Sequence, residues 1–139
     1  MEIIITGHGQ YATGMLSALH MVAGEKQGIC AVEFLPEDSS QDYRAKLTQA
    51  MDHLGDELLI FCDLSGGTPF NQAVLTRQSY PRKRIEVVAG ANLAMILEAA
   101  LDGGSLSELA DHVEQMGQKA ILHFRQGTTS SDVRQDEGI

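Results

Sequence analysis

Short apolar runs alternate with longer segments in which apolar residues recur every three or four positions, the pattern of alternating strands and helices. Glu2 to Thr6 reads as a first strand, after which Tyr11, Met15, Leu19 and Val22 share one helical face. Gly24 and Gly28 bracket the turn that ends this helix. Ile29 to Phe34 reads as a second strand, closed by Leu35 and Pro36, and from Ser39 the series Tyr43, Leu47, Ala50, Leu54 marks a second helix. Glu57 to Asp63 is nearly unbroken apolar sequence, as in a strand buried on both faces. Thr68 is placed to cap a third helix with Pro69 at its first position, running to about Ser79. Ile85 to Ala89 is a fourth strand and Leu93 to Leu101 a fourth helix. Ser105 and Glu108 have the spacing of a capping box, opening a fifth helix with Leu106, Leu109, Ala110, Val113 and Met116 on its apolar side. Ala120 to Phe124 reads as a short last strand, and the polar residues from Arg125 onward as a disordered tail.

This alternation predicts an α/β fold: a doubly wound, mostly parallel four-stranded sheet with helices on both faces and a short C-terminal strand. The 139 residues suffice for one domain, expected over residues 1–124, with 125–139 as the tail. Right-handed crossovers bring the loops that follow the strands to one edge of the sheet, where ligands of such folds bind. Three segments meet there: Thr6-Gly7-His8-Gly9, Asp63 to Phe70, and Ala89 to Asn92.

Composition narrows the function. At 43% hydrophobic the chain can bury a sizeable core, and with 5% aromatic residues and no tryptophan that core is aliphatic. The formal charge of −9 argues against nucleic acid and anionic lipid as partners. Cys30 and Cys62 lie within strands and are expected as free thiols in a reducing cytoplasm. No signal peptide fits the Met-Glu start, and the uncharged stretch Ile3 to Gly24 is too interrupted by glycines, His8, Gln10, Thr13 and His20 to span a membrane. Leu64 to Thr76 and Val87 to Leu97 are uncharged too, so the charges should form an acidic shell around a neutral face at the proposed edge.

Gly7, Gly9 and Ala12 match a relaxed dinucleotide-binding fingerprint, with Glu33 about where a ribose-binding acid would stand. The chain ends before a second nucleotide-binding half could follow. His8, flanked by two glycines, is the sharper feature: its imidazole should stand open at the sheet edge. Asp63, ending a strand expected beside the first, is placed either to hold one ring nitrogen of His8 or merely to cap its own turn. A carboxylate in the former role fixes the tautomer and favours any positive charge the ring acquires. Gly66, Gly67 and Thr68, at a helix start, offer backbone N–H groups and a hydroxyl suited to a phosphoryl group. No cofactor or metal is expected: a Gly-Lys-Ser/Thr loop and a nucleophile elbow are absent, and His20, His53, His112 and His123 lack metal-ligand spacing. Arg77, Arg82, Lys83 and Arg84 fall at the opposite end of the sheet and read as a solvated face.

Gly7-His8-Gly9 after the first strand, Asp63-Leu-Ser-Gly-Gly-Thr-Pro-Phe-Asn71 after the third and Val88-Ala-Gly-Ala-Asn92 after the fourth together resemble the IIA component of the mannose-family sugar phosphotransferase system. The likeness spans residues 1 to about 124. It implies that His8 accepts a phosphoryl group from the phosphocarrier protein HPr and passes it to a IIB component, that Asp63 orients His8, and that Gly66, Gly67 and Thr68 stabilise the phosphate. It also implies a cytoplasmic homodimer that exchanges a terminal strand, here Ala120 to Phe124. The phosphotransfer subunit of the dihydroxyacetone kinase system is similar in fold and logic; the Gly66-Gly67-Thr68-Pro69-Phe70 loop is the feature that separates the two.

Overall fold

The computed structural model describes residues 1–127. Its strands are β1 (Glu2–His8), β2 (Ile29–Phe34), β3 (Glu57–Cys62) and β4 (Arg84–Val88), all parallel and ordered β2-β1-β3-β4. The helices are α1 (Tyr11–Ala23), α2 (Ser40–His53), α3 (Thr68–Thr76), α4 (Leu93–Leu101) and α5 (Leu106–Lys119), with a 3-10 turn at Arg77–Ser79. The strand order reverses direction at β1, so the crevice between β1 and β3 is the topological switch point of the sheet.

Alternation along β1 assigns the two faces. Ile3 and Ile5 join Leu59, Phe61 and Val88 in a core covered by α1, α4 and α5, while Ile4 joins Val32, Leu58, Ile60 and Cys62 under α2 and α3. Ile3, Ile4 and Ile5 are all buried, and each such side chain contributes about 1.5–3 kcal/mol. Thr6, also fully buried, has its hydroxyl satisfied: it donates to the Val32 carbonyl (2.7 Å) and shares a 2.6 Å hydrogen bond with the Tyr43 hydroxyl. β1, paired on both sides and buried from Ile3 to Thr6, is therefore firmly anchored, and it runs directly into the site.

Several local expectations are corrected. β1 extends to His8 because Gly7 and His8 still pair in register with Glu33 and Phe34. Gly67, not Thr68, is the N-cap of α3, so Thr68 and Pro69 occupy its first two positions. Ser105 does precede α5, but its side chain makes no capping bond in that exposed first turn. Capping boxes form instead at Ser39 with Asp42 and at Asn92 with Met95. Lys83 is more than solvated surface, since its ammonium donates to the carbonyls of Met51, Leu54 and Gly55 at the end of α2. Cys62 is buried and Cys30 half-buried, both free. Residues 121–125 form no strand within the single chain, and Ile121, Leu122 and Phe124 are exposed. The tail expected from residue 125 lies, from residue 128, outside the described residues.

Candidate active site

His8 closes β1 and Asp63 follows β3, so the two residues straddle the switch point. One carboxylate oxygen of Asp63, Oδ2, accepts both the backbone N–H of His8 (2.9 Å) and its Nδ1 (2.8 Å). A carboxylate only accepts, so Nδ1 carries the proton and Nε2 presents its lone pair. Asp63 thus holds His8 by its backbone and its ring together. The imidazole is 46% exposed against 16% for Asp63, so the acceptor is sheltered while the free nitrogen stays reachable.

The glycines serve this arrangement sterically. A Cβ on Gly67 would come within 2.9 Å of His8 Cε1, so the ring rests on the bare backbone at the N-cap of α3. A Cβ on Gly7 would lie 2.5 Å from Tyr11 Cδ1 and 2.8 Å from Asp63 Cγ, a space those side chains occupy. Gly9 takes the left-handed conformation (φ +57°) that turns the chain from β1 into α1. Gly7 and Gly9 therefore have local roles, one of packing and one of turning, without reference to a nucleotide.

Beyond the ring, Gly66 (φ +80°) bends the loop, and its carbonyl accepts the Asn71 amide at 3.0 Å. The first-turn amides of Thr68 and Phe70 have no acceptor within the helix by position, and Pro69 has no N–H. No side chain caps α3, nor α1, which starts three residues after His8. Two helix N-termini with uncapped amides thus start beside the histidine, whereas α2 and α4 satisfy theirs with side chains. Thr68 is half-buried, and its hydroxyl has no partner among the described residues.

Phe34 and Tyr11 were not singled out for the site from sequence. Phe34 packs edge-on against His8 with centroids 5.5 Å apart, and Tyr43 stands behind it at 5.4 Å. The parallel register opposing His8 to Phe34 is the signal that would have found it. Tyr11 donates from its hydroxyl to the Ala91 carbonyl at 2.6 Å. Burial, and after it the charge of Asp63, pushes its phenol up to about 12. The same two causes push the Cys62 thiol up to about 12, leaving it protonated and inert. Asp63 is the charged group bonded to His8, and its neighbours Gly7, Tyr11, Phe34 and Gly67 are all uncharged, as the neutral-face reading requires.

The remaining histidines stand elsewhere. His53 bonds the Gln49 carbonyl within α2. His112 meets Glu98 at 3.0 Å, and with Asp102 these form a group of potential metal ligands on the α4–α5 surface, where two of the three already pair with each other. Among the described residues no such group includes His8.

Fold and site define a doubly wound α/β domain with a histidine held by a carboxylate at its switch point. Residues 2–116 match the EIIA-man family model, described as the fructose IIA component of the phosphotransferase system (PTS), and the chain belongs to this mannose-type IIA family. It is 28% identical to the PTS fructose-specific EIIA component of Bacillus subtilis, over 99% of each chain. The sorbose-specific EIIA component of Klebsiella pneumoniae is 30% identical over 93% of this chain and 96% of its own. Among solved structures, a mannose/sorbose-specific IIA subunit from Enterococcus faecalis superposes with a TM-score of 0.83 at 35% identity, covering 89% of this chain and 94% of that one. IIA components of this system are phosphotransfer proteins. Among the described residues no helix is long and apolar enough to cross a membrane.

Proposed function

We propose that this protein is a cytoplasmic phosphocarrier of a sugar phosphotransferase system in which His8 receives a phosphoryl group from phosphorylated HPr and delivers it to a IIB component. One observation carries the reading: Asp63 accepts the hydrogen bond from Nδ1–H and leaves Nε2 open above Gly67, at the uncapped start of α3. In the transfer, the Nε2 lone pair attacks phosphorus while the bond from phosphorus to the donor's imidazole nitrogen breaks, its electron pair returning to that nitrogen. His8 keeps its Nδ1 proton throughout, and the carboxylate balances the positive charge the phosphorylated ring acquires. The amides of Gly66 and Thr68 and the Thr68 hydroxyl meet the phosphoryl oxygens, while Gly67, whose own amide donates to the Leu64 carbonyl (3.3 Å), leaves bare backbone for them to approach. Positioning and electrostatics are the contributions such a transfer needs from a protein.

Transfer from this ring to IIB is the same step with donor and acceptor exchanged, which a shallow site permits and a deep pocket would hinder. The working unit is a homodimer that exchanges residues 120–124. Support comes from the unpaired outer edge of β4 and the exposed Ile121, Leu122 and Phe124; Ile121 and Leu122 themselves help line an apolar groove of about 750 Å³ with Val22, Leu97, Leu101 and Met116.

Incubation with phosphoenolpyruvate and the two general phosphotransferase proteins, read by intact mass, tests the central reading. The expected result is one acid-labile, base-stable phosphate that is lost in His8→Ala. No mass gain, or a gain surviving that substitution, overturns it.

A further inference from the structure

Asp63 carries an oddity that the phosphocarrier reading does not use. Its Oδ2 accepts two hydrogen bonds from His8, while Oδ1 is buried with no hydrogen-bond partner among the described residues. Burying a carboxylate oxygen without a protein hydrogen-bond partner is energetically unfavourable. Such a state persists only where the surroundings hold the group in place.

Tyr11 is the residue placed to do so. Its ring and the Asp63 carboxyl share the space that a side chain on Gly7 would fill, one at 2.5 Å from that position and the other at 2.8 Å. The hydroxyl is anchored by its 2.6 Å bond to the Ala91 carbonyl, and the Ala91 amide donates to the Cys62 carbonyl (3.1 Å), immediately before Asp63. The ring is therefore tied at both ends: through the backbone where α1 begins, and through its hydroxyl to the loop after β4.

We propose that Tyr11 is a positioning residue for the transfer, acting through Asp63: its anchored ring excludes water from the carboxylate and holds Oδ2 against His8, so that the neutral imidazole stays in the tautomer with Nε2 unprotonated. This rests on the phosphocarrier reading for its functional meaning, but the tautomer is measurable without any phosphoryl donor. With water admitted, Oδ1 gains solvent partners, the carboxyl is free to turn, and the hold on Nδ1 weakens.

The test uses full-length protein with 15N-labelled histidine, comparing wild type, Tyr11→Leu and Tyr11→Phe in two-bond proton–nitrogen correlation spectra on the alkaline side of the His8 titration. In wild type, His8 shows a protonated Nδ1 and an unprotonated Nε2. Tyr11→Leu is expected to show a tautomer mixture and a transfer rate about tenfold lower, with the concentration of HPr at half-maximal rate unchanged. Tyr11→Phe keeps the ring but loses the anchor, and is expected to fall between the two in both readouts. An unchanged His8 tautomer in both variants overturns the proposal. Should Tyr11→Leu fail to fold, Tyr11→Phe decides alone, and wild-type His8 nitrogen shifts in it overturn the proposal equally. A wild-type protein that shows the single tautomer yet takes up no phosphate would refute the phosphocarrier reading and leave the Tyr11 assignment standing.

Discussion

A single methyl group separates Gly67 from alanine, and its position next to His8 Cε1 makes that difference decisive for the ring. The Gly67 backbone is extended (φ −74°, ψ 169°), a conformation alanine adopts freely, so Gly67→Ala should fold. We expect its denaturation midpoint to change little while phosphoryl transfer falls by about tenfold or more, measured by single-turnover uptake, because a displaced nucleophile loses its alignment. Asp63→Asn should likewise fold, yet slow transfer by about 10²-fold, since an amide cannot balance the charge on the ring. The raised phenol of Tyr11 and thiol of Cys62 predict an alkaline weakness. Both groups titrate higher in the folded chain than in the unfolded one, so their contribution to stability is complete below about pH 9 and is lost as the pH rises through 12. Urea midpoints should hold from pH 7 to 9 and fall above it, with a shallower fall in Tyr11→Phe; a flat profile to pH 11 would contradict the burial of both groups.

Elements differ in how much of them the sequence discloses. Ile29–Phe34 and Leu93–Leu101 are legible to the residue, because glycine, proline and a capping asparagine punctuate regular apolar periods. His8 and Asp63 are legible as a pair for a topological reason, since strands one and three of a doubly wound sheet are neighbours. The true start of α3 is not, because what lets Gly67 serve as N-cap is a ring from a different strand, and no local pattern reveals such a neighbour. Lys83 is a similar case: a basic cluster looks solvated until the fold brings the end of α2 over it. That ammonium, bonded to three carbonyls, predicts that Lys83→Met lowers stability by about 2 kcal/mol, seen as a lower urea midpoint at unchanged slope. No change would mean that water replaces the lysine without cost.

At the scale of the whole molecule, the outer edges of β2 and β4 are unpaired among the described residues, and Ile121, Leu122 and Phe124 stand exposed. A chain ended after Lys119 is expected to sediment as a monomer where the full-length protein sediments as a dimer; equal masses would remove residues 120–139 from the assembly. The uncharged neighbours of the His8–Asp63 pair are visible in sequence, because the three uncharged segments carry or directly follow the three loops. The anchoring of β1 has a further consequence. His8, the proposed nucleophile, sits at the end of β1, one of the two strands flanked on both sides by others, not on a loop able to open by itself. Amides of such a strand exchange with solvent only when the domain unfolds as a unit. If His8 is the phosphoryl acceptor, it has no partial melting of its own: on heating, phosphoryl uptake should hold until cooperative unfolding and then vanish with it, making activity a thermometer of the fold.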